Sequence, residues 1–259
     1  MKKFIILLLL SLSFNSVTAD CTSKGMYFFP DTREISLNSM FIIQGYAFSQ
    51  KTINGFKERT IYLESEHGEL IELHLQDILK GQMQLTQAIF CPVSELKPNT
   101  TYVLKYTDQT NSEGAEMMKY NRKKKKREKV YWTTTGNTSS TPLHSNLTLE
   151  FKTSEVAYYG CGPSAYAIFK IKNMPESEVW FKTEVIEIST NTSTTFYLIG
   201  REDQLYIGHG MCSGAFRFNG KGKYKVRFTP MNIDGKSLTT TAWKPFESPF
   251  ATAKSPFGN

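Results

Sequence analysis

Apolar and polar residues alternate in short runs along most of the chain. The clearest runs in the first half are Ser39–Ala47 (SMFIIQGYA), Thr60–Ser65 (TIYLES), Glu69–Leu75 (ELIELHL) and Thr101–Tyr106 (TYVLKY). Later come Tyr166–Ile171 (YAIFKI), Val179–Ile188 (VWFKTEVIEI), Thr195–Ile199 (TFYLI) and Tyr224–Phe228 (YKVRF). Successive side chains of a strand point to opposite faces, so a period of two marks a sheet with one buried face. Gly, Pro, Asn and Asp interrupt these runs at short intervals, and hardly any segment repeats at 3.6 residues. The pattern predicts an all-β sandwich or barrel, with one turn of helix expected at Asp77–Gln84. Gly136–Pro142 (GNTSSTP) is polar and lacks large apolar residues. It reads as a boundary, giving domains at 20–136 and 143–250, a linker at 137–142 and a short tail at 251–259.

The start of the chain departs from this pattern. Lys2 and Lys3 precede an apolar stretch from Phe4 to Leu10, and Val17-Thr18-Ala19 supplies small residues for cleavage. This is the layout of a secretory signal peptide over residues 1–19, too short in its apolar part to span a bilayer. Asp20 before Cys21 does not fit a lipoprotein cleavage site, so ordinary cleavage after Ala19 is expected. No later segment is apolar for 18 residues, and no transmembrane segment is expected in the mature chain. The expected location is therefore periplasmic or extracellular, at the cell surface. Four cysteines, Cys21, Cys91, Cys161 and Cys212, form an even set that favours disulfides in an exported chain. Of the three connectivities, Cys21–Cys91 with Cys161–Cys212 is the simplest for two domains. Each bridge would close a loop worth roughly 3–4 kcal/mol in the chain-entropy model.

One stretch has a specific signature. Leu96-Lys-Pro98-Asn-Thr-Thr-Tyr102 resembles the tyrosine-corner segment of fibronectin type III and related Ig-like sandwiches, with Leu96, Pro98 and Tyr102 in the structural roles. Pro30, Ile35–Ile43 and Tyr131–Thr135 are similar to the opening and closing strands of bacterial Ig-like domains of exported surface proteins. The second half resembles such a domain through Gly222–Phe228, followed by Asn232–Leu238 with an Asp234-Gly235 turn. The resemblance implies two tandem Ig-like, fibronectin type III-like β-sandwich domains. It also makes Thr101–Tyr106 and Val130–Thr135 the last two strands of the first domain, leaving residues 107–129 as an unusually long connection.

Charge concentrates in that connection. The formal charge of +7 falls to +5 once Lys2 and Lys3 leave, and residues 122–129 alone carry +6, so the remainder is about −1. Arg122, Lys123, Lys124, Lys125, Lys126, Arg127 and Lys129 are the candidate contacts for an anionic partner. That partner would be an acidic polysaccharide, lipopolysaccharide, lipid headgroups, extracellular DNA or an envelope protein. The competing reading is a solvated loop of like charges. Tyr120 alone is not the aromatic platform of a single-strand binder, so specific nucleic-acid recognition is not expected.

Catalytic signatures are missing from the sequence. It contains no nucleophile elbow, zinc-protease helix, phosphate loop or dinucleotide fingerprint, and no cofactor is expected. The strongest alternative lies at Gly208-His209-Gly-Met-Cys212. There His209, Cys212 and Cys161 could ligate zinc, or a thiol could pair with His209 as a nucleophile in an envelope enzyme. Disulfide formation would remove both options. Carboxylate pairs such as Glu64/Glu66, Glu69/Glu72 and Glu184/Glu187 read as solvated sheet faces. In adjacent aromatic pairs, among them Trp180-Phe181 and Phe196-Tyr197, one ring is expected inside and one outside. Function is thus expected to be binding or structural and non-catalytic.

Overall fold

The computed structural model describes residues 21–121 and 124–253. The expected signal peptide, Arg122, Lys123 and the end of the tail lie outside the described residues. Strand dominates the rest, interrupted by two short α-helices, α1 (Gln50–Gly55) and α2 (Asn111–Glu116), and a 3-10 turn at Pro249–Ala251.

In the first half, eight strands form one sheet. They are β1 (Lys24–Phe29), β2 (Glu34–Ile35), β3 (Phe41–Ala47), β4 (Ile61–Ser65), β5 (Leu70–Lys80), β6 (Leu85–Pro92), β7 (Thr101–Tyr106) and β10 (Tyr131–Thr134). Between the last two lies a separate hairpin of β8 (Met118–Asn121) and β9 (Lys126–Lys129). The sheet order is β1-β3-β6-β5-β4-β7-β10-β2, antiparallel except for the parallel β10–β2 pair. β5 folds the sheet over. Leu70–Leu73 pair with β4, Leu73–Lys80 pair with β6, and the register shifts between Leu75 and Asp77. A bulge bends its strand, and the two ends of the sheet come face to face. Phe41 of β3 meets Trp132 of β10 edge-on at 4.8 Å, and Phe56 packs on both Phe90 of β6 and Tyr106 of β7.

The helical turn expected at Asp77–Gln84 does not form. Asp77–Lys80 continue β5 beyond the bulge, and Gly81 to Gln84 make the turn into β6, closed by Gly81 N–H donating to the Leu85 carbonyl at 2.8 Å. The chain bends at the bulge between Leu75 and Asp77 and stays extended through Lys80.

In the second half two antiparallel sheets face each other. One is β11 (Thr148–Tyr159), β12 (Gly162–Lys172) and β15 (Gln204–His209); the other runs β14 (Thr192–Ile199), β13 (Val179–Glu187), β16 (Lys223–Asn232) and β17 (Lys244–Glu247). Phe169 of β12 crosses to Phe228 of β16 at 5.1 Å and to Phe246 of β17 at 6.1 Å.

The halves share their cores. Trp180, Met231 and Ile233 join the apolar cluster of the first half, while Leu79 and Leu85 pack on that of the second. This corrects the one-in, one-out expectation at Trp180-Phe181, where both rings are fully buried. Phe181 faces its own sandwich interior, and the outward face of β13 is covered by the first half. The Gln87 amide also bridges the halves, donating to the Tyr197 carbonyl at 2.9 Å and accepting from the Tyr197 N–H at 3.0 Å. It stands in for a strand neighbour at one position of the β14 edge, Tyr197.

The disulfide pairing differs from the expected one. Cys21 bonds to Cys212, with Cα atoms 5.7 Å apart, a spacing that suits a bridge. The expected Cys21–Cys91 and Cys161–Cys212 bridges are not formed. Cys91 lies on β6 beside Tyr197 at the joint between the halves, where burial pushes its thiol pKa up. Cys161 sits in the turn between β11 and β12. A pairing confined to each half presumes that each is sealed off, whereas here the start of the first lies against the loop after β15. No helix among the described residues is long and apolar enough to cross a membrane.

Candidate functional site

β7 and β10 are hydrogen-bonded neighbours, with Val103 opposite Tyr131 and Tyr102 opposite Trp132. The chain leaves this ladder after Tyr106 and returns at Tyr131. Its excursion begins with a built base. Thr110 caps α2, its hydroxyl accepting from the Glu113 N–H while the Glu113 side chain accepts from the Thr110 N–H. Such a reciprocal capping box satisfies two free donors of the first helical turn. Arg59 then binds Glu113 at 2.6 Å, Asp108 at 3.2 Å and the Thr107 carbonyl at 2.8 Å. Burial alone would raise the Glu113 pKa, but hydrogen bonds from Arg59 and Thr110 outweigh it and hold the carboxyl below its ordinary value. Glu116 accepts from the Ser49 hydroxyl at 2.5 Å and pairs with Lys24 at 3.1 Å. Met117 is buried in the core, and its carbonyl accepts from Val130 N–H at 3.1 Å, closing the base. Beneath it the buried Tyr106 hydroxyl has no hydrogen-bond partner among the described residues, and burial drives its pKa far above the usual phenol range.

From this base the β8–β9 hairpin projects. Its register sets Met118 opposite Lys129, Lys119 opposite Glu128, Tyr120 opposite Arg127 and Asn121 opposite Lys126. Residues two apart share a face, so the hairpin has two unlike sides. Glu128 stands on one of them with 12% of its side chain exposed, among Lys124 at 3.0 Å, Arg33 at 3.6 Å, Lys126 at 3.8 Å and the Asn121 amide at 2.9 Å. Hydrogen bonds from Asn121 and Lys124 hold the Glu128 carboxyl below its ordinary value. Lys119 on the same side pairs with Asp31. The other side carries exposed Tyr120, Arg127 and Lys129 and half-buried Met118, with no acid. The basic run is therefore not uniform. Lys124 and Lys126 share one carboxylate, whereas Lys125, Arg127 and Lys129 are exposed without an ion pair among the described residues.

The other residues singled out in the sequence lie elsewhere. The fully buried Tyr102 hydroxyl accepts from Lys97 N–H at 2.8 Å, over buried Leu96; Pro98 opens the turn. The same geometry recurs at Tyr224, which accepts from Asn219 N–H at 3.0 Å over buried Phe218. Sequence reasoning missed this second corner. Its signal was an apolar residue six positions before a tyrosine and another two after it, as in Leu96/Tyr102/Leu104 and Phe218/Tyr224/Val226.

Residues 137–142 hydrogen-bond to both halves. The Asn137 carbonyl accepts from Leu37 N–H at 3.1 Å, and Ser140 N–H donates to Asp234 at 2.5 Å. They wall a groove of about 520 Å³ that also touches Glu34, Glu176, Ser177 and Glu178. Glu178 spans the joint, accepting from Asp31 N–H at 2.7 Å, Thr32 N–H at 3.0 Å and the Trp180 indole at 2.7 Å; burial pushes its pKa up.

His209 is buried, with Nδ1 2.9 Å from the Gly210 carbonyl oxygen, and burial pushes its pKa down. Cys212 holds its sulfur in the bridge to Cys21 and supplies neither a thiolate ligand nor a nucleophile. Among the described residues, no group of three or more His, Cys, Asp or Glu side chains is placed to hold a metal ion. Several of the carboxylates named in pairs are ion-paired: Glu64 with Lys105, Glu69 with Lys97, and Glu184 with Arg227 through two hydrogen bonds.

No family model matches the chain, and no curated protein matches it. Solved structures with a partial likeness include a pullulanase complexed with maltotriose from Anoxybacillus sp. LM18-11, at 8% identity over 86% of this chain and 25% of that one, with a TM-score of 0.26. A second pullulanase structure from the same source gives 10% identity over the same shares and a TM-score of 0.25. A DUF4785 family protein from Legionella pneumophila gives 6% identity over 89% of this chain and 58% of that one, with a TM-score of 0.22. The chain spans about a quarter of the length of the pullulanase chains. At such scores the likeness assigns no activity.

Proposed function

We propose that this protein is an exported, non-catalytic binding module of the cell envelope or the space outside it. In this reading two fused Ig-like, fibronectin type III-like sandwiches, at 20–136 and 143–250, hold out the basic hairpin β8–β9 to an anionic surface. The three-on-four strand arrangement of the second half and the matched tyrosines at 102 and 224 support the domain reading. The observation that carries the function is the base of the hairpin. A merely solvated charge run has no need of a capping box, an arginine latch and a buried methionine beneath it. These parts order the backbone in advance, which lowers the entropic cost of binding. A site around His209 has less support, because the neighbouring sulfur is oxidised.

The test is retention of the mature protein on heparin and on anionic vesicles, with neutral vesicles as control. Changing Lys124, Lys125, Lys126 and Arg127 together to Ser is expected to abolish retention at low salt. Wild-type retention should weaken steeply as salt shortens the screening length. Unchanged retention of the variant would remove the proposal.

A further inference from the structure

Resting on that reading of the hairpin, we infer that its partner is an anionic polysaccharide, gripped by the face that carries Tyr120, Arg127 and Lys129. The opposite face contributes long-range attraction and little contact. Tyr120 is 56% exposed and lies directly across the hairpin from Arg127. Directly opposed residues hold their Cβ atoms about 5 Å apart, so the aromatic and the guanidinium side chains rise from adjoining positions on one face. That pair suits one acidic sugar unit. The aromatic ring stacks on the apolar face of the pyranose, and the planar fork meets a carboxylate or sulfate through two parallel N–H···O bonds. Lys129 lies two residues along the strand, about 6.6 Å further, on the same face, where it meets an acidic group of a neighbouring unit.

The remaining partners fit less well. The described part of the turn, Lys124 and Lys125, is cationic and has no apolar residue to enter a bilayer. A nucleic acid strand wants successive rings to stack on, and this face offers one. On the far face Glu128 is already surrounded by Arg33, Lys124, Lys126 and Asn121, so the two lysines there are partly neutralised before any ligand arrives.

The experiment uses the full mature chain and measures binding of alginate, a carboxylated polysaccharide, at constant ionic strength. Neutral dextran, an oligothymidylate and phosphatidylglycerol vesicles serve as comparisons. Arg127→Gln and Lys126→Ser each remove one positive charge, one from each face. The inference expects Arg127→Gln and Tyr120→Ala each to weaken alginate binding by about tenfold or more, the scale of a lost bidentate or stacking contact. Tyr120→Phe should keep most of the affinity, and Lys126→Ser should cost less than about threefold. Unchanged thermal midpoints would show that the variants fold.

Equal losses for Arg127→Gln and Lys126→Ser, with none for Tyr120→Ala, would overturn the inference while leaving a charge-driven binding module intact. Preference for the oligothymidylate or the vesicles over alginate would overturn it in the same way. Alginate binding indifferent to all four variants, together with unchanged heparin retention of the Lys124–Arg127 variant, would remove both the inference and the proposed function.

Discussion

The connections from β7 to β10 and from β16 to β17 each follow a strand whose tyrosine accepts an upstream backbone N–H and lead to its antiparallel neighbour, and they meet opposite surroundings. Residues 233–235, at the start of the second connection, turn inward. The Ile233 carbonyl accepts from Met40 N–H at 2.7 Å, and the Asp234 carboxylate takes the hydroxyl of Ser36, that of Ser39 at 3.3 Å and the N–H of Ser140 at 2.5 Å. Gly235 has φ +80°, and a Cβ there would run into Met40, so the turn is fitted closely against the first half. Residues 107–121 and 124–130 instead find their partners in their own half, in Arg59, Ser49, Lys24, Asp31 and Arg33, and lift a hairpin into solvent. One connection serves as an internal joint and the other as a projection. The difference lies in whether a sister half is within reach to satisfy the backbone and carboxylates of the loop.

The largest test of this comparison acts on the joint. Cys21–Cys212 closes a sequence separation of 191 residues, which the chain-entropy model values at about 5 kcal/mol. Cys212→Ser should lower the urea midpoint strongly and in a single step for both halves. A loss under about 1 kcal/mol would mean that the non-covalent joint suffices without the bridge.

A smaller effect separates the two connections directly. Asp234→Ala leaves two serine hydroxyls and the Ser140 N–H without their charged acceptor and should cost about 1.5–3 kcal/mol. Changing Lys125, Arg127 and Lys129 to Ser should stay within about 0.5 kcal/mol. Equal shifts in thermal midpoint would erase the distinction.

The smallest effect is that of pH on the hairpin base. Glu113 is held below its ordinary pKa in the folded protein: burial opposes ionisation, but the hydrogen bonds from Arg59 and Thr110 prevail. Its stabilisation is therefore present above the ordinary carboxylate range and is lost as pH falls through the folded-state value. Glu178 at the joint has the opposite sign. Burial raises its pKa, so its contribution is greatest at low pH and is lost as pH rises through the raised value. Hydrogen exchange, corrected for intrinsic rates, should show residues 107–121 loosening on acidification before the Asp31–Thr32 N–H groups that Glu178 holds. Glu113→Gln should loosen the base at neutral pH and flatten its pH response. Loosening of the Glu178 contacts first would contradict the assignment of the two signs.

Much of this arrangement was legible in particular residues. The alternation in TYVLKY and VWFKTEVIEI marked strands because the period of two is a local property of the backbone. The basic run was read as a connection between two adjacent strands, and β7 and β10 do flank it as neighbours. Other features were not local. Trp180 is buried because the first half covers its face of β13, and no period within residues 179–187 encodes that neighbour. The bulge between Leu75 and Asp77 bends β5 from one layer to the other where a helical turn was expected, because β5 must pair with β4 on one side and β6 on the other. The cysteine pairing followed the assumption that each half closes on itself, and the shared core makes that assumption false.

By itself, then, the chain determined that it is built of short antiparallel strands and that one connection is densely cationic, since both follow from residues close in sequence. Tertiary structure decided which sulfurs meet, which aromatic faces vanish into the joint, and which of the basic side chains remain unneutralised. Those outcomes depend on register and on contacts between residues far apart in the chain, where the cross-hairpin pairing of Tyr120 with Arg127 and the approach of Arg33 to Glu128 are set.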